Sequence, residues 1–258
     1  MSGNNANNKN AGKQPASRQG FWIALIAALV LLCVLVVVLL TFGEDNMPTE
    51  APTDVPTRQI TGPKAELEEI QKAAINLGSG MQITDIGKYT GVYMEDGSDE
   101  LVSGILMIVV TNTGENTIQY AEIELAGKNS AASFSMSTLA PGSSVVLLEQ
   151  NRMAYDAAED YSGAVAKNVV LFQEPLSLCE DQLKLQILDG ALNVTNISGA
   201  DITGDIIIYY KNSAADMFYG GITYRVRIEG GLKSGEVKQL IASHLSAKGS
   251  TILFVTVG

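Results

Sequence analysis

Cys179 and His244 are the only thiol and the only imidazole beyond residue 42, the residue types of a nucleophile and of the base that would activate it. The other cysteine, Cys33, lies inside an uncharged stretch from Phe21 to Phe42, so no disulfide joins the two. Free cysteine is among the most buried residue types, and Cys179 reads as a small packing side chain rather than a nucleophile. The run Glu95-Asp96-Gly97-Ser98-Asp99-Glu100 gathers hard oxygens of the kind calcium takes. It lacks the spaced ligands and terminal bidentate glutamate of a calcium loop, and Asp96-Gly97 is equally a hairpin turn. Arg225 and Arg227 project together from an alternating segment, with Tyr209, Tyr210, Phe218, Tyr219 and Tyr224 close by in sequence. Arginine and tyrosine are enriched at interfaces, so Tyr219, Tyr224, Arg225 and Arg227 are the expected binding surface. Phosphate-binding, zinc and serine-hydrolase motifs are missing, and no catalytic residue, metal or cofactor is expected.

The elements that would carry these residues begin with the apolar stretch itself. Its 22 residues span roughly 33 Å as a helix, the thickness of a bilayer core, and exceed the apolar run of a cleaved signal peptide. Lys9, Lys13 and Arg18 precede it and Glu44 and Asp45 follow it, which places the N-terminus in the cytoplasm and the rest outside. Residues 1–20, rich in Asn, Gly and Ser, read as a disordered tail. Residues 43–63 carry Pro48, Pro52, Pro56 and Pro63 among Thr, Glu and Asp and read as an extended stalk. Residues 64–80 read as a short amphipathic helix, with Leu67, Ile70, Ala74 and Leu77 at helical spacing. Three of the 17 basic residues precede the span and all 28 acidic residues follow it, leaving 14 against 28 outside, a net charge of −14. That balance excludes nucleic acid as a partner.

From Met81 onward short apolar runs alternate with turn residues, the pattern of an all-β sandwich. Expected strands include 101–110, 117–125, 143–148, 169–172, 183–188, 201–210, 222–228 and 251–257. An internal repeat is visible. Val110-Thr111-Asn112 lines up with Val194-Thr195-Asn196, each followed by a glycine-containing turn, and Gly142-Ser143-Ser144-Val145 resembles Gly249-Ser250-Thr251-Ile252. The expected division is a first sandwich over 81–174 and a second over 175–258, the latter carrying an insertion at about 216–246. Asn193 and Asn196 sit in N-glycosylation patterns that read here as strand and turn.

The first module, through Gly104, Val110, Asn112-Thr113-Gly114, Ile118, Glu122-Ile123, Phe134 and Leu139-Ala140-Pro141-Gly142, resembles FxLYD-type immunoglobulin-like domains of prokaryotic envelope proteins. The resemblance implies two tandem immunoglobulin-like sandwiches on a cell surface and supplies no catalytic residues. The expected function is a membrane-anchored, extracytoplasmic interaction or assembly module of the bacterial envelope, not an enzyme, with an envelope protein or the cell wall as partner. A sensor domain signalling through the helix is the alternative, and a Cys179/His244 enzyme ranks below both.

Overall fold

A computed structural model describes residues 65–258, and the tail, span and stalk expected above lie outside them. Thirteen strands and no helix form among the described residues. They are β1 (Glu66–Gly78), β2 (Met81–Val92), β3 (Leu101–Asn112), β4 (Ile118–Ala126), β5 (Ala131–Leu139), β6 (Ser144–Leu148) and β7 (Gly163–Leu171). After a connection over residues 172–182 come β8 (Leu183–Leu188), β9 (Ala191–Asn196), β10 (Ile206–Ala214), β11 (Met217–Ile228), β12 (Val237–Ile241) and β13 (Ser250–Val257). A seven-stranded sheet runs β1-β2-β3-β6-β11-β10-β13, and β5-β4-β7 and β12-β9-β8 form two smaller sheets.

Alternation of apolar and polar residues decides which faces meet. In β4, Ile118, Ala121, Ile123 and Leu125 are fully buried, and with Phe134 and Met136 of β5 they pack against Ile83, Leu106, Ile108 and Val145 of the large sheet. A second core joins Leu183, Leu192 and Val194 of the other small sheet to Ile206, Ile208 and Val255 of the large one. The result is an all-β, sandwich-like arrangement. β3 reads as an unbroken apolar run because both its faces are covered. Leu106, Ile108 and Val110 enter the first core, while Ile105, Met107 and Val109 meet Tyr89, Tyr93, Val146 and Leu148 on the other side.

The segment expected as a helix is the strand β1, paired antiparallel with β2. Its register slips between Glu68 and Gln71 and again between Lys72 and Ile75, with Glu69 at φ 51°. A bulge inserts a residue and breaks the period of two, which is how Leu67, Ile70, Ala74 and Leu77 came to fall at helical spacing. The side chains that turn to the first core are Ala73, Ile75 and Leu77, and Ile70 is exposed.

The two halves share a strand plan. β3 pairs with β2 and β6 as β9 pairs with β8 and β12, and β4 pairs with β5 and β7 as β10 pairs with β11 and β13, all antiparallel. The Val-Thr-Asn repeat marks one point of that plan. Asn112 is buried and donates through Nδ2 to the carbonyls of Asn116 and Leu139, both at 2.9 Å, while its Oδ1 accepts from Gly114 N. Asn196, also buried, donates to Ala200 O and Leu232 O at 2.7 and 3.0 Å and accepts from Ser198 N. Around each, a glycine with positive φ, Gly142 or Gly235, donates its N–H to the asparagine carbonyl. The counterpart of Gly142 is therefore Gly235 ahead of β12, not Gly249. Segment 216–246, expected as an insertion, supplies β11 and β12.

The halves join inside the large sheet through three parallel rungs, Met217 with Ser144, Phe218 with Val145 and Tyr219 with Val146. Beyond Tyr219 the two strands part. β11 bulges through Gly220 and Gly221 and returns to register with β10 at Tyr224 opposite Tyr210. At Gly221 the close approach of β5 forbids a side chain, because a Cβ there would stand 1.9 Å from Ser135 O.

Candidate functional site

Cys179 and His244 meet different neighbours. Cys179 Sγ donates to Val255 O at 3.8 Å and packs on the second core. His244 stacks on Tyr224, ring centroids 4.7 Å apart, and its Nδ1 lies 3.4 Å from Asp99 Oδ1. The structure thus gives each of these two residues a packing role in its own surroundings.

The acidic run 95–100 spends its carboxylates on protein partners. Glu95 reaches between the parting strands, where Oε1 accepts from Leu148 N at 2.8 Å and Oε2 from Gly221 N at 2.6 Å. Arg152 lies over the Tyr93 ring and binds Glu100 at 2.5 Å and Asp96 at 3.1 Å. No group of three or more His, Cys, Asp or Glu placed to hold a metal ion occurs among the described residues.

Behind Glu95, in the bulge of β11, sits Lys211, fully buried. Its Nζ donates to the carbonyls of Gly220, Gly221 and Ile222 at 3.0, 2.8 and 2.8 Å. An ammonium has three donors, so all are taken, and the lysine bridges the three carbonyls of the bulge. Burial pulls this ammonium down to about 7, opposed by the charge of Glu95. Burial pushes the Glu95 carboxyl up to about 7, against the two backbone donors and Lys211. Desolvation is the largest cause for both, and the attraction between the two groups offsets it only in part. Ser137 completes the seam, donating to Gly221 O at 3.0 Å and lying 2.9 Å from the Thr223 hydroxyl.

The four residues expected to form a binding surface do not converge. Tyr219 belongs to the third cluster, against β3 and β6. Tyr224 packs on the second core, stacked between Tyr210 at 5.4 Å and His244. Arg225 and Arg227 are exposed on the opposite face of β11, and Arg227 is engaged by Asp205. Alternation put the arginines and Tyr224 on opposite sides of one strand.

A concavity of the described residues lies elsewhere, between β8 and β13, each the last strand of its sheet. It is a mainly apolar groove of about 430 Å³ lined by Leu183, Leu185, Ile187 and Ile252, with Glu180 and Lys184 also in its lining. Ile197 N donates to Gln182 O. Bonded pairs alternate along an antiparallel ladder, so Lys184 and Gln186 bond to β9, and the N–H and C=O of Leu185 and Ile187 point away from it along the rim of the groove. The chain ahead of β8 covers this edge at Leu183, whose N–H donates to Cys179 O, and goes no further along it. It crosses to β13, where Val255 N donates to Ser177 O. Sequence alternation located Leu183, Leu185 and Ile187 on a strand, but only the pairing shows that strand to be terminal.

No family model matches this chain, and no curated protein matches it. No helix of the described residues is long and apolar enough to cross a membrane.

Proposed function

We propose that this chain is a non-enzymatic interaction or assembly module of the bacterial cell envelope, held on the extracytoplasmic side by residues 21–42 and lifted from the membrane by residues 43–63. In this reading residues 81–174 and 175–258 are two immunoglobulin-like sandwiches derived from one ancestral unit, as the shared strand plan and the paired asparagine nodes suggest. The observation that carries the interaction role is the groove between β8 and β13. Contiguous apolar surface beside an unpaired strand edge is a recurrent mark of a protein-binding surface.

Two measurements test it. A tag at Gly258 on whole cells is digested by external protease if the body of the protein lies outside, and protection until lysis would place it inside. Full-length chain used as bait on solubilised native membranes is expected to retain a discrete protein that Leu185→Glu releases. Identical recoveries with and without that substitution would remove the groove from the function.

A further inference from the structure

The first half of the molecule shows what fits the groove of the second. Met81 stands opposite Asn112 and Ile83 opposite Val110, just as Leu183 stands opposite Asn196 and Leu185 opposite Val194. β2 and β8 are therefore in one register against their hairpin partners. In the first half the outer edge of β2 is occupied by β1, with Gly78 opposite Met81 and Ile75 opposite Ile83. β1 also lies against β7 and closes the side of the sandwich with Ala73, Ile75 and Leu77. The same side of the second half, between β8 and β13, has no such strand among the described residues and is the groove.

We propose that the free edge of β8 accepts an extended segment of another polypeptide, which adds antiparallel along Leu185 and Ile187 and lays alternate apolar side chains into the groove. This rests on the interaction reading above and names the class of partner. Main-chain hydrogen bonds provide the attachment and the alternate side chains the selectivity. The guest is free of proline over about five residues, since each proline removes a donor the ladder needs. It carries two or three aliphatic side chains in the spacing of Ala73, Ile75 and Leu77. The chain's own residues 43–63 are poorly suited, being broken by Pro48, Pro52, Pro56 and Pro63. A neighbour's β1 gains nothing by transfer, because leaving β2 uncovers an equivalent surface of its own.

The test uses the full-length chain in mild detergent and a fluorescent peptide of the β1 sequence, ELEEIQKAAINLG, as a surrogate guest. Saturable anisotropy is expected, weakened at least tenfold by N-methylation of alternate peptide amides, and weakened likewise by Ile187→Pro. That proline removes only an outward-facing donor on a terminal strand, so the urea midpoint of the variant stays near that of the parent, and β2 remains intact as a control edge. No anisotropy change up to millimolar peptide, or binding indifferent to both changes, overturns strand addition. So does prior protection of the Leu185 and Ile187 amides from hydrogen exchange without peptide, which would mean that the chain fills its own groove. A concentration-dependent dimer abolished by Ile187→Pro would put a second copy there instead. Should the peptide fail while the membrane bait still retains a protein sensitive to Leu185→Glu, the interaction reading stands and only the strand mode falls.

Discussion

Replacing Asn196 by Ala tests the equivalence of the two halves more directly than any comparison of sequences. The side chain satisfies Leu232 O in a fully buried bond and Ala200 O and Ser198 N in half-buried ones. A buried acceptor left unpaired costs about 1–3 kcal/mol and each half-buried bond about 0.5–1 kcal/mol, which sums to about 3 kcal/mol. Asn112→Ala loses the matching set, Leu139 O, Asn116 O and Gly114 N, and is expected to cost the same. At a slope near 3 kcal/mol per molar urea for a chain of this size, each variant lowers the unfolding midpoint by about 1 M. The assay is urea denaturation of the full-length chain followed by far-ultraviolet circular dichroism, at one protein concentration. Replacing either asparagine by Asp keeps the acceptor and loses the two donors, and is expected to recover little. A midpoint shift below about 0.3 M for one asparagine with a full shift for the other would refute the claim that both turns are built on the same node.

Gly221→Ala drives a methyl group into Ser135 O and displaces the N–H that Glu95 accepts; a loss of at least about 3 kcal/mol is expected from overpacking plus the broken bond, and an unchanged melting temperature would contradict the close approach of β5 and β11. Glu95 is held up at about 7 in the folded protein against an ordinary value of 4.5. The folded state therefore keeps a proton that the unfolded chain releases, and this contribution, up to about 3 kcal/mol, is present below pH 4.5 and lost as pH rises to about 7. Parent stability measured against Glu95→Gln should accordingly fall between pH 4.5 and 7; a flat difference would refute the raised value, and a rising one would show the carboxylate to be stabilised in its charged form. Arg152→Ala releases Asp96, Glu100 and the Tyr93 face; with exposed partners the urea midpoint is expected to move little, and a shift as large as that of the asparagine variants would mean that the acidic loop orders the seam through this arginine.

Much of the fold is legible in the residues because burial on one face enforces a period of two. β4, β8 and the later part of β11 show it plainly. β1 did not, since two bulges shift its phase and leave a pattern that a helix also satisfies. The alternation over 222–228 marked a strand, but not its pairing with β10 on one edge and β6 on the other, which only the sheet order shows. The Val-Thr-Asn repeat was visible because a buried asparagine tied to two carbonyls cannot be exchanged for another residue without loss. Its flanking glycine was matched to Gly249 instead of Gly235, as Gly-Ser runs are common in turns and only the hydrogen bonds tell one from another. Glu95, Lys211 and the groove had no local signal. Glu95 and the groove depend on which strands become neighbours across long stretches of chain, as Glu95 and Gly221 do, and Lys211 on a bulge that only the β10–β11 pairing reveals.

The three parallel rungs between β6 and β11 also have a mechanical meaning. A force that separates β1 from β13 acts across the strands of the large sheet, and the ladders within each half are longer than the one that joins them. The seam is thus a tear line, whose parting also draws Phe218 from the first core and Met217 and Tyr219 from the third. Glu95 spans that line at the point where the strands diverge, with one oxygen on Leu148 N and the other on Gly221 N. A tether at the β1 end and a guest held at β8 would put this short ladder in tension, with the Glu95 carboxylate and the Ser137 hydroxyl as its rivets.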